Sequence, residues 1–245
     1  MKLEVRELRK SYGAFAALRG VSFEVRSGER VAMIGPNGAG KSTCFNVVNG
    51  QLRPDAGTVR LDDIDVSGRA PRHLARLGIG RTFQTAETFA SMSVRENVQL
   101  ALLSHRGRCG SLVANARCAF VAEAQALLER VGLAAQADRA SASLAYADLK
   151  RLELALALAG EPKLLLMDEP TAGMAPQERS ELMRLVVELA ERDSTAVLFT
   201  EHDMDVVFGF ATRVLVLHAG ALIASGTPEA VRADPRVREV YLGSA

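Results

Sequence analysis

Apolar and polar residues alternate near the start of the chain, which is the pattern of β-strands. Residues 3–8 and 21–25 show this alternation, and the apolar run 31–34 follows a Ser27-Gly28 turn. We predict that these three segments are antiparallel strands. A helix over 41–49 and a strand over 57–61 complete this first unit.

The apolar spacing becomes helical from Ser93 onward. Ser93 and Glu96 have the spacing of a capping box, and residues 122–131 form a second segment rich in alanine and leucine. An exposed loop is predicted between them, over 105–111. A third helix is predicted over 149–159.

Strands and helices alternate in the last third of the chain. A strand is predicted over 164–167, a helix over 176–192 and a further strand over 195–200. This alternation indicates an α/β fold whose parallel sheet is covered by helices on both faces. The antiparallel strands at the start and the helices in the middle are additions to that sheet. We predict a single domain over 1–245 with two lobes.

Composition and charge exclude several classes of protein. The chain has 245 residues, of which 48% are hydrophobic, and its 30 basic and 29 acidic residues give a net charge of +1. This balance offers no electrostatic reason for nucleic acid or a membrane surface to be the main ligand. The apolar runs are shorter than the roughly 20 residues that cross a bilayer, and the N-terminus has no apolar signal region. We therefore expect a cytoplasmic protein.

Three cysteines, Cys44, Cys109 and Cys118, share no metal-ligand spacing, and their odd number suits a reducing compartment. Cys44 follows the glycine-rich segment described next, where a small buried apolar side chain is expected. We assign none of the three a functional role.

A glycine-rich segment matches the phosphate-loop pattern G-x-x-x-x-G-K-[ST] at every fixed position. Its residues are Gly35, Pro36, Asn37, Gly38, Ala39, Gly40, Lys41 and Ser42. Backbone amides from about Gly38 to Thr43 are placed to donate to a phosphate chain, Lys41 supplies a positive charge, and Ser42 supplies a hydroxyl ligand for Mg²⁺. The alternative is a glycine-rich turn that matches by chance, but the segment lies between a predicted strand and a predicted helix.

Two carboxylates end the apolar strand 164–167. Side chains that follow one another at a strand end diverge, so Asp168 can face a metal while Glu169 faces a water in line with the γ-phosphate. The alternative is a pair of solvated acidic residues in a turn. The apolar strand that precedes them argues against this alternative.

Further polar or aromatic residues lie near other strand ends. His202 follows the strand over 195–200, where it can reach a γ-phosphate, although a lone histidine is more often structural. Gln84 follows a short strand and offers a neutral amide to both the metal and the attacking water. Tyr12 can stack on adenine, although an aromatic residue near a strand end usually belongs to the core.

In this order, the motifs resemble those of the ATP-binding subunits of ABC transporters over essentially the whole chain. Residues 35–42 correspond to the Walker A loop of that family, Gln84 to its Q-loop, residues 164–170 to Walker B with the catalytic glutamate, and His202 to the switch histidine. Tyr12 matches its adenine-stacking position.

The resemblance implies the P-loop ABC ATPase fold, with ATP and Mg²⁺ as ligands and with Ser42, Gln84 and Asp168 near the metal. It also implies a core lobe over 1–84 and 156–245 and a helical lobe over 85–155.

A narrower resemblance links the chain to the larger ATP-binding subunit of branched-chain amino acid importers and their urea and amide relatives. It rests on Arg81-Thr82-Phe83-Gln84, Arg151-Leu152-Glu153-Leu154-Ala155, Ala172-Gly173-Met174-Ala175-Pro176-Gln177-Glu178, and the tail from Gly226-Thr227-Pro228 to Tyr241-Leu242-Gly243.

The signature motif departs from the family pattern. It is usually Leu-Ser-Gly-Gly-Gln, or Leu-Ala-Tyr-Gly-Gln in the branched-chain group, and here it is Leu144-Ala145-Tyr146-Ala147-Asp148. Ala147 adds a methyl group where a glycine amide approaches the ATP held by the partner subunit. Asp148 adds negative charge, and a like-charge pair about 4 Å apart costs about 4 kcal/mol at an effective dielectric of about 20. Unless Asp148 points away from the nucleotide, this repulsion exceeds the roughly 0.3–1 kcal/mol gained at a helix N-terminus. Ala175 likewise replaces the usual Asp or Asn of the D-loop.

The resemblance also implies partners. Two such subunits sandwich two ATP molecules, each held by the phosphate loop of one chain and the signature of the other (here Ala145, Tyr146, Ala147 and Asp148). The altered signature leads us to expect a heterodimer with a distinct ATP-binding subunit. We also expect two transmembrane permease subunits docked on the helical lobe, a solute-binding protein as an indirect partner, no nucleic acid, and a peripheral position on the cytoplasmic face of the membrane.

Two alternatives stay open at this point. One is a nontransport ABC ATPase of repair or translation, although such proteins usually carry a second cassette, a long coiled coil or a basic surface. The other is a regulatory ATP-binding subunit that hydrolyses ATP poorly. Weighing against it is the presence of Lys41, Asp168, Glu169 and His202.

Overall fold

Two β-sheets and a set of surrounding helices make up the fold. The computed structural model describes residues 1–82, 88–107 and 119–242, with side chains up to residue 240. The strands are β1 (Lys2–Tyr12), β2 (Phe15–Arg26), β3 (Arg30–Ile34), β4 (Ala56–Leu61), β5 (Ile64–Asp65), β6 (Ile79–Thr82), β7 (Leu164–Asp168), β8 (Ala196–Thr200), β9 (Arg213–His218) and β10 (Ala221–Gly226). The helices are α1 (Lys41–Val48), α2 (Pro71–Arg76), α3 (Val94–His105), α4 (Val121–Arg130), α5 (Tyr146–Leu158), α6 (Pro176–Asp193), α7 (Met204–Phe210), α8 (Pro228–Ala233) and α9 (Pro235–Leu242).

The smaller sheet is antiparallel, with strand order β2-β1-β4-β5. Leu3 is paired with Val25 of β2 on one side and with Leu61 of β4 on the other. The alternation read from the sequence buries Leu3 and Val5 on one face of this sheet. The predicted antiparallel subdomain at the N-terminus is therefore confirmed.

The larger sheet has the strand order β10-β9-β3-β8-β7-β6. Strands β9, β3, β8, β7 and β6 run parallel, and β10 joins the edge antiparallel to β9. Asp168 at the end of β7 lies opposite Thr200 at the end of β8. The carboxyl ends of these strands thus meet at one edge of the sheet, as the α/β prediction required.

One strand lies in a different sheet from the one predicted. The segment 31–34 was expected to continue the antiparallel strands, but β3 pairs in parallel with β8 and β9 in the larger sheet. Val31, Ala32, Met33 and Ile34 are all buried. A strand that is apolar on both faces belongs inside a covered parallel sheet, which explains the correction.

Helices α3, α4 and α5 form the insert and share a core with the larger sheet. Val98, Leu128 and Leu152 come from the three helices and belong to the same buried cluster as Phe199 of β8. The capping box at the start of α3 is confirmed, because Ser93 Oγ accepts from the Glu96 amide at 3.1 Å and Glu96 Oε2 accepts from the Ser93 amide at 2.9 Å. The lobe boundaries at 85 and 155 remain a prediction.

Helix α5 begins three residues earlier than the predicted start at residue 149. Ala145 is its N-cap in an extended conformation, and the first turn therefore contains Tyr146, Ala147 and Asp148. The Tyr146 hydroxyl donates to the Ala172 carbonyl at 3.1 Å, which holds this turn against the loop after β7. A tertiary contact, rather than helix propensity, sets this boundary.

The other predicted features either agree with the structure or fall on residues that the structure does not describe. Cys44 is buried in α1, and burial raises the pKa of its thiol to about 12, as expected for a packed apolar side chain. Cys109, Cys118 and part of the loop predicted over 105–111 lie outside the described residues, while His105 is the last residue of α3. Within residues 1–82, 88–107 and 119–242, no helix is both long enough and apolar enough to cross a membrane.

Candidate nucleotide-binding site

The glycine-rich segment connects the end of β3 to the start of α1, in the strand-loop-helix context predicted for it. Gly40 is the residue before α1 and has φ +102°, a left-handed conformation that favours glycine. A Cβ atom at this position would lie 2.6 Å from the Ala17 carbonyl oxygen of β2. The loop therefore needs a glycine here, both for its backbone angle and for its close approach to β2.

Lys41 lies beneath the loop, with only 7% of its surface exposed. Its Nζ donates to the carbonyl oxygens of Gly35 at 2.6 Å and Pro36 at 3.2 Å. Burial lowers the pKa of this ammonium group, and the negative charges of Glu169 and Asp168 partly offset the shift. The loop thus holds a buried positive charge within electrostatic reach of both carboxylates.

The rest of the loop presents polar groups to solvent. Asn37, Gly38 and Ser42 are exposed, whereas Ala39 is buried against β2 and β9 residues of the core. The first N–H groups of α1 have no acceptor within the helix, and they lie at its positive end. This arrangement can accept an anion.

Asp168 ends β7, and its two oxygens have different neighbours. Oδ1 accepts from the Thr200 hydroxyl at 2.7 Å, and Oδ2 lies 3.7 Å from the Arg81 guanidinium. Arg81 also donates to Asn46 Oδ1 at 3.4 Å. The carboxylate is therefore held at the edge of the sheet near the loop.

Glu169 and His202 form a pair across the ends of β7 and β8. His202 Nε2 lies 2.8 Å from Glu169 Oε1. Glu169 has φ +48°, and its amide donates to the carbonyl and the hydroxyl of Thr200 at 3.2 and 3.0 Å. The side chains of Asp168 and Glu169 diverge as expected, one toward Thr200 and the other toward His202.

Tyr12 lies at the end of β1, opposite Phe15 of β2. Both rings are exposed, by 49% and 59%, and the Lys10 ammonium lies 6.0 Å from the centre of the Tyr12 ring. The reading of Tyr12 as a core residue is therefore wrong. Strand β2 also contacts the phosphate loop at Ala17, so this hairpin and the loop belong to one surface region.

The signature residues lie on the helical insert. Tyr146 is exposed, and Ala147 and Asp148 are half-buried in the first turn of α5. Ala175 is the N-cap of α6, where its amide donates to Glu178 Oε2 at 3.1 Å. Gln84 lies outside the described residues, although β6 brings the chain to the same sheet edge at Thr82.

Three further side chains contact the site, although the sequence did not predict them as site residues. They are Arg81, Thr200 and Glu201, and Glu201 accepts from the hydroxyl of Thr171 at 2.6 Å. Arg81 belongs to the segment Arg81-Thr82-Phe83-Gln84 quoted above, and Thr200 and Glu201 directly precede His202, so their signal in the sequence is their position next to predicted site residues.

Comparison with known protein families shows which family has this arrangement of motifs. The model of the family described as "ABC transporter" matches residues 18–172, which include the phosphate loop, the signature and both carboxylates. The chain belongs to the ABC transporter family. A second model, described as "Branched-chain amino acid ATP-binding cassette transporter", matches residues 221–245 of this ABC protein.

Individual relatives agree with this family. The protein is 39% identical to the high-affinity branched-chain amino acid transport ATP-binding protein LivG of Salmonella typhimurium, over 99% of this chain and 98% of the relative. Its fold matches an ATP-binding cassette of an ABC transporter solved in the ADP conformation, with 34% identity, full coverage of both chains and a TM-score of 0.87. It also matches a dimeric bacterial ABC transporter cassette with 25% identity and a TM-score of 0.78, over 92% of this chain and 98% of that one.

These matches confirm the predicted ABC ATPase fold and the narrower resemblance to the branched-chain amino acid importers. They also confirm the predicted class of activity, an ATP-binding protein that couples ATP hydrolysis to transport.

Proposed function

We propose that this chain is the ATP-hydrolysing subunit of an importer for branched-chain amino acids or chemically related small polar solutes. The observation that carries the catalytic part is the Glu169–His202 pair, 2.8 Å apart beside the phosphate loop. The solute is suggested by the relatives and by the family match over residues 221–245.

ATP binds, in this proposal, with its phosphates in the loop and its adenine on Tyr12. The backbone of residues 35–43 and the Lys41 ammonium hold the phosphates, since the loop combines the exposed residues Asn37, Gly38 and Ser42 with a buried positive charge. Tyr12 has an exposed ring on the hairpin that contacts the loop, as a stacking partner requires.

The oxygen donors at the sheet edge suit Mg²⁺. Among the described residues, no three His, Cys, Asp or Glu side chains are grouped closely enough to hold a metal by themselves. Mg²⁺ in nucleotide sites uses one or two protein oxygens together with phosphate oxygens, and Asp168, the exposed Ser42 hydroxyl and Gln84 are the proposed protein ligands. Bound there, the ion would neutralise charge that develops on the phosphates.

Hydrolysis is assigned to the side chains at the ends of β7 and β8. Glu169 Oε1 accepts a proton from the attacking water, and His202 orients this carboxylate through the 2.8 Å contact and faces the γ-phosphate. The Thr200 hydroxyl holds Asp168 apart from Glu169, so that one carboxylate serves the metal and the other the water.

The proposed partners are a second, distinct ATP-binding subunit, two transmembrane permease subunits and, indirectly, a solute-binding protein. A cavity of about 490 Å³ between the core sheet and the helical insert is our proposed permease contact. Arg76, Arg81, His105 and Glu153 are among the residues that line it. Such contacts would place this chain on the cytoplasmic face of the membrane as a peripheral subunit.

Reconstituted transport tests this function. We expect vesicles that contain this chain, its permease and its partner ATPase to take up radiolabelled leucine only when ATP is present on the side of the ATPase. Vesicles with the Glu169→Gln chain are the matched control and should take up none. ATP hydrolysis without uptake of leucine or a related amide would contradict the proposed solute, and failure to copurify with membranes would favour a nontransport ATPase.

Restoring the usual signature should accelerate turnover. In Ala147→Gly/Asp148→Gln, a methyl group and a negative charge are removed from the surface that covers the partner's ATP. Relief of only about 1.4 kcal/mol of the repulsion, which reaches about 4 kcal/mol for a charge pair about 4 Å apart, corresponds to a roughly tenfold faster steady-state ATPase rate. The control Asp138→Asn removes a charge from the exposed residue paired with Arg95 and should leave the rate unchanged. An unchanged rate in the double variant would indicate that Asp148 points away from the nucleotide.

A further inference from the structure

Glu201 is a buried carboxylate at the end of β8, with 4% of its surface exposed. Its Oε1 accepts from both the amide and the hydroxyl of Thr171, at 3.0 and 2.6 Å. Its Oε2 accepts from the amide of His202 at 3.1 Å. Three donors from two separate segments therefore converge on one side chain.

Only a carboxylate satisfies this arrangement. The amides of Thr171 and His202 are obligatory donors, and they face different oxygens of Glu201. An ionised carboxylate accepts at both oxygens, whereas a glutamine accepts at one and presents N–H groups at the other. A glutamine here would leave a buried donor facing another donor.

Three consecutive residues at the end of β8 form side-chain contacts with the end of β7 and the segment that follows it. Thr200 bonds Asp168 and Glu169, Glu201 bonds Thr171, and His202 pairs with Glu169. Glu201 is the middle one of the three, and its two oxygens accept from the His202 amide and from Thr171, two residues after Glu169. It fixes His202 through its own amide and the loop after Glu169 through Thr171.

The loop that Glu201 holds also contacts the signature helix α5. Thr171 is 1% exposed and precedes Ala172, whose carbonyl accepts from the Tyr146 hydroxyl at 3.1 Å. A shift of Thr171 would therefore move the contact that supports the first turn of α5.

We infer that Glu201 is a positioning residue, which sets the distance and angle between Glu169 and His202 by holding the amide of His202 and, through Thr171, the loop two residues after Glu169. The inference rests on the roles proposed above for those two side chains. Glu201 itself does not need to touch the nucleotide.

The first test is Glu201→Gln in the transporter purified with this full chain. We expect kcat for ATP to fall about 10- to 100-fold, because a small misplacement of catalytic groups has an effect of this size. Equilibrium affinity for ATP, measured without Mg²⁺ to prevent turnover, should change less than about twofold, since the phosphate loop is untouched. A kcat equal to that of the parent would overturn the inference.

Substitutions of Thr171 provide a second test of the inference. This test remains decisive if the Glu201→Gln variant does not fold. Thr171→Val keeps the shape of the side chain and removes the 2.6 Å donor, so kcat should fall again. Thr171→Ser keeps the hydroxyl and should recover most of that loss. Equal kcat values in the Val and Ser variants would overturn the inference.

A double-mutant cycle with His202→Ala separates positioning from general destabilisation. If Glu201 acts through His202, Glu201→Gln adds little further loss of kcat in the His202→Ala background. The same fold-loss in both backgrounds would overturn the inference. The proposed function has its own separate test, because it fails if Glu169→Gln retains turnover, whatever Glu201→Gln does.

Discussion

Glu169→Gln binds ATP with the affinity of the parent chain and hydrolyses it at least about 100-fold more slowly. A general base contributes about 10²- to 10⁴-fold to the rate, and an amide keeps the shape of the side chain without accepting the proton. The amide can still lie 2.8 Å from His202, so the local structure should persist. Steady-state ATPase rates and equilibrium ATP titration measure the two effects separately, and trapped ATP should hold the dimer closed.

Glu161→Gln is a matched control for this variant. Glu161 also has a left-handed backbone, with φ +46°, and its Oε1 lies 3.5 Å from the Arg106 guanidinium. It precedes β7, whereas Glu169 follows it, so the two residues lie at opposite ends of the same strand. We expect parental turnover in the control. Near-parental turnover in Glu169→Gln would exclude Glu169 as the catalytic carboxylate.

Lys41→Ala weakens ATP binding about 100-fold, equivalent to about 2.7 kcal/mol. The ammonium group is buried beneath the loop, where it donates to the carbonyl oxygens of Gly35 and Pro36. Its removal leaves the phosphates of ATP without a buried counter-charge. Equilibrium titration measures the loss, and Lys163→Ala, at an exposed residue just before β7, should retain parental affinity. Unchanged affinity in Lys41→Ala would contradict the proposed phosphate site.

The same substitution tests whether the two ATP sites of the proposed heterodimer differ. In the proposed heterodimer, the partner's signature would cover the site on Lys41 of this chain, whereas Ala147 and Asp148 would cover the partner's ATP. Lys41→Ala should therefore reduce the ATPase rate of the dimer more than the matching change in the partner. Equal losses would count against asymmetry, and full activity of this chain as a homodimer would remove the need for a distinct partner.

Local features of the fold follow closely from local sequence. The phosphate loop needs glycine at position 40 for its backbone angle, and a lysine and a serine at fixed distances beyond it, so the pattern is readable without tertiary information. The capping box of Ser93 and Glu96 depends on residues three apart and was predictable for the same reason. Asp168 and Glu169 were predictable as candidate site residues because an apolar strand ends just before them.

Contacts between distant segments were not predictable in this way. Glu201 and Thr171 are 30 residues apart, and only the parallel pairing of β7 with β8 brings them within hydrogen-bond distance. Nothing in the alternation of apolar residues distinguishes a buried carboxylate from an exposed one at the end of a strand. The burial of Glu201 is therefore not readable from the sequence.

The sequence by itself determined the phosphate loop, the alternation of strand and helix over 164–200, and the family, because each depends on residues close together or on motifs in a fixed order. Tertiary structure alone decided that β3 joins the parallel sheet, that α5 begins at Tyr146, and that Glu169 pairs with His202. The physical reason is that burial and hydrogen bonding between segments far apart in sequence outweigh local preference at these positions.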